Sequence, residues 1–255
     1  MLRLSANLGF LWTELPLADA IRRAKAAGFD AVECHWPYES DPLAVRAALE
    51  ETGLPMLGIN TRRGRTGIDN GLAAVPGREA EARAAIDEAF AYGARIGAGR
   101  VHVMAGNAFG IDGARETFEA NLAYACDIAA LNAMGVLIEP LNHRDAPGYF
   151  LVDLALAADI AGRLARPELS LMFDCYHLQI TGGDLLERFR AHRRIVGHVQ
   201  IAAVPSRAEP DGGEVAYERL LPMLEAAGYE GYVGAEYRPA TTTEAGLGWM
   251  ARFGR

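Results

Sequence analysis

Leu4-Ser5-Ala6-Asn7-Leu8-Gly9-Phe10-Leu11 is a short, mostly apolar run, and an amphipathic stretch of helical length follows it over residues 17–27. The reading of this run separates the two common layouts of a parallel α/β sheet. An open, doubly wound sheet usually carries a glycine-rich phosphate turn, G-x-G-x-x-G, after its first strand. Leu8-Gly9-Phe10-Leu11 holds one glycine and no such turn. A closed barrel is therefore favoured.

Outward from that run the same alternation repeats. Gly28 stands just past the first helix, where left-handed backbone angles suit glycine, and Gly53 does the same for the second. The strands are expected at 4–8, 31–34, 56–60, 100–104, 136–139, 169–173, 195–201 and 232–236. The helices are expected at 17–27, 42–51, 78–96, 114–132, 154–164, 185–192, 217–227 and 243–252, with a long Gly- and Arg-rich loop at 61–76. Eight strand–helix units predict one α/β domain over residues 1–255, a (β/α)₈ TIM barrel.

The bulk composition narrows the function. With 51% apolar and 23% charged residues the chain is ordinary for a globular protein. A net charge of −8 argues against nucleic acid as a partner, because phosphate binding needs a clustered positive surface. Arg3, Asn7, Thr13 and Glu14 interrupt the N-terminal apolar residues, so neither a signal peptide nor a membrane span is expected there. Three scattered cysteines, Cys34, Cys126 and Cys175, form no CxxC pair, and a reducing, cytoplasmic setting fits them. The sequence is compatible with a homo-oligomer.

In a barrel of this kind the chemistry sits where strands end and the following loops begin. Four successive strands end on oxygen-bearing side chains: Glu139 before Pro140, Asp174 after Phe173, Gln200 in Gly197-His198-Val199-Gln200-Ile201, and Glu236 after Ala235. Any one of them is ordinarily a helix cap or an ion-pair partner. For Asp174 alone that bland reading is favoured, and for Gln200 alone clearly so. Together they are harder to dismiss, since converging buried carboxylates repel unless a cation or hydrogen bonds compensate them. Oxygen donors suit Mg²⁺ or Mn²⁺.

Among the histidines, His177 is placed in a loop that could face the pocket, and His198 alternates with Gln200 toward the barrel interior. His102 is as readily a satisfied core histidine, and His35, beside Trp36, is assigned to packing. Arg207, and more weakly Arg62, Arg63 and Arg65, could hold a carboxylate. Trp12, Trp36 and the third loop are expected to close a small pocket. No GxSxG, HExxH or P-loop motif is present.

These strand ends resemble those of the hydroxypyruvate isomerase family, within the xylose-isomerase-like barrels. The similarity runs through Ser5-Ala6-Asn7-Leu8, Gly28-Phe29-Asp30-Ala31-Val32-Glu33, Val101-His102-Val103-Met104, Ile138-Glu139-Pro140-Leu141-Asn142, Phe173-Asp174-Cys175-Tyr176-His177, Arg207-Ala208-Glu209-Pro210 and Gly234-Ala235-Glu236-Tyr237-Arg238-Pro239. The resemblance implies a metal site at Glu139, Asp174, Gln200 and Glu236, with Glu139 and Glu236 as the acid/base pair. His177, Arg207, Glu209 and His102 are then the expected substrate contacts. Related epimerases usually have histidine where Gln200 stands, so the metal is expected to be held loosely or to be dispensable.

The expected reaction interconverts hydroxypyruvate and tartronate semialdehyde by proton transfer through an enediolate. A longer substrate such as a 2-oxo-tetronate or a ketose is the alternative. A metal-dependent endonuclease is the alternative from another class, and the acidic charge counts against it.

Overall fold

The computed structural model describes residues 2–253, so residue 1 and residues 254–255 of the expected domain lie outside it. Eight strands form one parallel sheet: β1 (Leu4–Asn7), β2 (Ala31–Glu33), β3 (Ile59–Asn60), β4 (Arg100–His102), β5 (Gly135–Ile138), β6 (Leu169–Asp174), β7 (Val196–Ile201) and β8 (Val233–Ala235). Their order, β2-β1-β8-β7-β6-β5-β4-β3, leaves β2 and β3 at the two ends. The ring is closed there by a parallel bridge between Val32 and Met56. Backbone bonds from Leu57 to Val32 and from Asn60 to His35 extend that closure. The expected third strand at 56–60 is thus split, with only its last two residues regular.

Helices cover the outside: α1 (Leu17–Ala26), α2 (Pro42–Thr52), α3 (Glu79–Ile96), α4 (Ala114–Leu131), α5 (Leu154–Leu164), α6 (Cys175–Thr181), α7 (Leu185–His192), α8 (Tyr217–Ala226), α9 (Thr243–Gly246) and α10 (Trp249–Arg252). Local chemistry sets their ends. Asp41 and Asp153 accept the backbone N–H groups of Leu43 and Leu156, capping α2 and α5. Pro42 occupies the first turn of α2, where its missing N–H costs nothing. Gly28 and Gly53 do take positive φ, +92° and +67°.

Two helical expectations needed correction. Residues 175–181, read as loop, form α6, because Asp174 at the strand end caps a helix that starts at the next residue. The single helix expected at 243–252 is two short ones, divided at Leu247 and Gly248.

The apolar core lies between sheet and helices, with Val32, Val101, Val136 and Val199 facing side chains such as Ile21, Ile86, Phe118 and Leu221. The opposite faces of the strands point into the barrel. That two-residue alternation carries Asn7, Glu33, His102, Glu139, Gln200 and Glu236 to the inside. Among the described residues no helix is long and apolar enough to cross a membrane. All three cysteines are buried and free.

Candidate active site

A cavity of about 290 Å³ opens at the C-terminal ends of the strands. Glu139, His102 and Glu236 reach it from the strand ends and His177 from α6, while Phe10, Trp36, Arg63, Asp145, Arg207 and Arg238 line it from the loops. A second, much smaller space of about 20 Å³ lies deeper, among Asn7, Glu33, His198 and Gln200. That is room for roughly one water.

Glu139 follows the last residue of β5 and is buried, and its Oε1 has no hydrogen-bond partner. His102 Nδ1 is 3.7 Å from its Oε2 and His177 Nε2 is 4.0 Å from its Oε1. Burial, reinforced by the charges of Glu236 and Asp174, pushes this carboxyl well above the usual range.

Asp174 satisfies the bland reading and the functional one with one oxygen each. Its Oδ1 accepts the Tyr176 N–H at 2.8 Å as the cap of α6. Its Oδ2 is buried without a hydrogen-bond partner, 3.6 Å from His177 Nε2 and 3.9 Å from Arg207. Burial and the neighbouring Glu236 charge push it up to about 8.

Glu236, at the end of β8, is the opposite case. Oε1 accepts from His35 Nε2 at 2.8 Å and from Asn7 Nδ2 at 3.2 Å, and Oε2 accepts from Arg207 at 3.3 Å. Burial alone would raise its pKa, but the His35 hydrogen bond and the Arg207 charge outweigh it and bring the group down to about 2. The assignment of His35 to packing is therefore corrected. The ring does stack against Phe10 and Trp36, and it is also a direct partner of Glu236. Gly9 makes this possible, since a Cβ there would fall 2.1 Å from His35 Nδ1.

His177 lies in the first turn of α6 rather than in a loop. Its Nδ1 accepts the Asn142 backbone N–H at 3.0 Å, which leaves the proton of the neutral ring on Nε2, facing the cavity. Burial brings the ring down to about 3, so it is neutral. His102 is not a satisfied core histidine, since neither ring nitrogen has a hydrogen-bond partner; burial brings it down to about 4.

Ligand atoms of Glu139, Asp174 and His177 lie within 4.8 Å of one another, a spacing that could hold a metal ion. The chemistry of the donors favours the oxygens. Because Nδ1 of His177 is already an acceptor, Nε2 can ligate only by giving up the ring's proton. Gln200 supplies a further free oxygen. It neighbours Asp174 in register, its amide nitrogen donates to Glu33 at 2.9 Å, and its Oε1 is buried without a partner. Both oxygens of Glu236 are occupied by protein donors.

Arg207 is buried between Phe10 and Tyr176, at 5.0 and 4.9 Å, in a left-handed backbone conformation (φ +56°) that an L-residue rarely adopts. Asp145, Glu236 and Asp174 surround its guanidinium, at 3.5, 3.3 and 3.9 Å. Glu209 stays outside the cavity and accepts the Ala240 N–H at 3.0 Å, bracing the loop after β8. Of the third-loop arginines, Arg62 pairs with Glu39 and Glu88 and Arg65 with Asp69. Arg63 alone reaches the cavity, stacked 4.1 Å over Trp36. Trp12 does not close the pocket; it is buried, donating to Glu244 at 2.7 Å.

Residues 21–253 match the family model of the xylose isomerase-like TIM barrel. The 2-oxo-tetronate isomerase of Cupriavidus necator is 42% identical over 99% of both chains, and the hydroxypyruvate isomerase of Escherichia coli is 34% identical over 98% of both. The chain belongs to the hydroxypyruvate isomerase/2-oxo-tetronate isomerase family. It is a sugar or hydroxy-acid isomerase of that family. A solved structure of an AP endonuclease, family 2, from Brucella melitensis superposes with a TM-score of 0.94 at 39% identity over 99% of both chains. The 3-keto-D-glucoside 4-epimerase of E. coli, at 24% identity and a TM-score of 0.82, shows the shared fold alone.

Sequence reasoning sought oxygen-bearing strand ends only on the last four strands. It missed Asn7 and Glu33, although each is a polar side chain at the end of an apolar strand, the same signal used for Glu139 and Glu236. Arg238, from the loop after β8, was missed as well.

Proposed function

We propose that the protein shifts a carbonyl between adjacent carbons of a short α-hydroxy-carbonyl acid through an enediolate. The observation that carries this reading is the pair of buried glutamates facing one cavity, one pushed toward its protonated form and the other held ionised. Acid/base isomerisation needs that division of roles. Glu236 takes the proton from the hydroxyl-bearing carbon. The C–H electrons form the carbon–carbon double bond, and the carbonyl oxygen takes the negative charge. Glu139 returns a proton to the neighbouring carbon, and the two carboxyls then re-equilibrate through solvent. His177 Nε2–H donates to the carbonyl oxygen and takes up the proton that the other hydroxyl loses.

Oε1 of Glu139, Oδ2 of Asp174 and Oε1 of Gln200 are three orphaned oxygens that fit a hard divalent cation, with Mg²⁺ and Mn²⁺ as first candidates. Such a cation, when bound, acts as a Lewis acid toward negative charge developing on the substrate oxygens.

The substrate's carboxylate is assigned to Arg63 and Arg238. Both line the cavity, and among the described residues neither has a side-chain carboxylate ion-paired to it, whereas the charge of Arg207 is already shared among three acids. Hydroxypyruvate and tartronate semialdehyde are the shortest fitting pair. A four-carbon 2-oxo-tetronate is the second reading. The 42% identity to the Cupriavidus enzyme favours it.

NMR of a panel of C3 to C6 hydroxy-carbonyl compounds in D₂O tests the proposal. Deuterium is expected to enter the carbon beside the carbonyl for C3 or C4 acids and not for neutral ketoses. No isomerisation and no exchange across the panel would sink it. Cleavage of abasic-site DNA with added Zn²⁺ would instead support a nuclease, which a compact acidic cavity does not suit.

A further inference from the structure

One buried acid beneath the cavity takes no part in the proton transfers described above. Glu33, on β2, is 5% exposed. Its Oε1 accepts from Asn7 Nδ2 at 3.2 Å and from Gln200 Nε2 at 2.9 Å, and its Oε2 lies 2.5 Å from His198 Nε2. The space is set aside for it: on the facing strand β8, a Cβ on Gly234 would meet Glu33 Oε1 at 2.6 Å and His198 Nε2 at 2.9 Å.

We infer that Glu33 is the positioning residue that sets the polarity of the site. A glutamine amide is nearly symmetric in shape, and its partners decide which end faces which way. By accepting the Gln200 N–H₂, Glu33 turns Oε1 of Gln200 away from itself, as a buried acceptor for the cation proposed above. The same Glu33 oxygen holds Asn7, whose Nδ2 also donates to Glu236 Oε1 at 3.2 Å. One carboxylate thus orients both the acceptor at position 200 and the neighbour of the proposed base. It also accounts for glutamine at position 200: a carboxylate there would face Glu33 with no donor between them. The inference rests on the cation reading for its first arm only.

The test compares Glu33→Ala, Glu33→Gln and Gln200→Ala with the parent, using calorimetric Mn²⁺ binding to metal-free protein, kcat and KM, and the side-chain amide signals of Asn7 and Gln200 in ¹⁵N NMR. Partners beyond the direct ligands typically contribute about 10–100-fold to metal affinity or activity. Glu33→Ala is expected to lose that much Mn²⁺ affinity and kcat, with KM little changed and the amide signals displaced. Glu33→Gln, which keeps an acceptor, is expected to stay within about threefold of the parent. Adding Glu33→Ala to Gln200→Ala is expected to cost little further Mn²⁺ affinity.

Parent-like binding, turnover and amide signals in Glu33→Ala would overturn the inference, as would full additivity in the double variant. If the alanine variant does not fold, Glu33→Asp withdraws the acceptor by one methylene and the same losses are expected, with parent-like behaviour again overturning it. A parent that binds no Mn²⁺ would overturn the cation reading, and the amide signals and kcat then decide the role of Glu33 by themselves.

Discussion

Two corners of one cavity hold the same kinds of groups in opposite conditions. At the Glu139–Asp174 corner, a carboxylate oxygen on each residue and the Nε2 of His177 are buried with no hydrogen-bond partner. At the Glu236 corner every oxygen is claimed, by His35, Asn7 and Arg207. Burial is common to both. Burial, with the charges of Glu236 and Asp174, drives Glu139 up, whereas the donors around Glu236 outweigh burial and bring it down to about 2. The proposed division into an acid and a base thus follows from what stands beside each of two identical side chains, at the ends of β5 and β8 with β6 and β7 between them. The open corner has somewhere to place a cation or a substrate oxygen, and the closed corner holds a charge ready.

The sharpest way to break this comparison is Glu236→Gln. It removes the proposed base and is expected to lower kcat by about 10²–10⁴-fold, with Mn²⁺ binding largely kept, since the oxygens of Glu236 are engaged elsewhere. Turnover near the parent's would end its assignment. Glu139→Gln is expected to cost about 10²-fold in kcat and, unlike the first variant, to weaken Mn²⁺ binding measured by calorimetry. Equal effects of the two variants on Mn²⁺ would erase the distinction between the corners.

Arg63→Leu carries the comparison from floor to rim. A charge-assisted contact of about 1.5–3 kcal/mol predicts KM raised roughly 10–100-fold for the acid substrate with kcat little changed. A fall in kcat at constant KM would remove Arg63 from the carboxylate-binding role.

His35→Ala gives the smallest effect, on the order of tenfold in kcat/KM, and a directional one. Losing a donor to ionised Glu236 raises that group's pKa. The base is then protonated earlier as pH falls, so the acid limb of the kcat/KM profile moves to higher pH. An unmoved limb would show that His35 only packs.

Much of this architecture was legible from residue order. The repeat of apolar runs and amphipathic stretches locates eight strands, and Glu139, Asp174 and Glu236 are readable because a carboxylate at the end of an apolar run is costly without a purpose. Asp174 is instructive, since its sequence supports both cap and functional readings and one oxygen serves each. Helix α6 was not legible: seven residues with no charge give too little periodicity, and its cap is the strand's own last residue. His35 was misread because its neighbour Trp36 suggests packing, while its partner Glu236 lies 201 residues away.

By itself, the sequence determined the alternation, the chain order of the strands and which strand ends carry polar groups, because these follow from local periodicity and composition. Only the closed barrel decided which groups meet. Joining β8 to β1 and β2 brings Glu236 to His35 and Asn7, and Gln200 to Glu33. Hydrogen bonds between residues so distant in the chain leave no local pattern, and they are what hold Glu236 ionised against its burial.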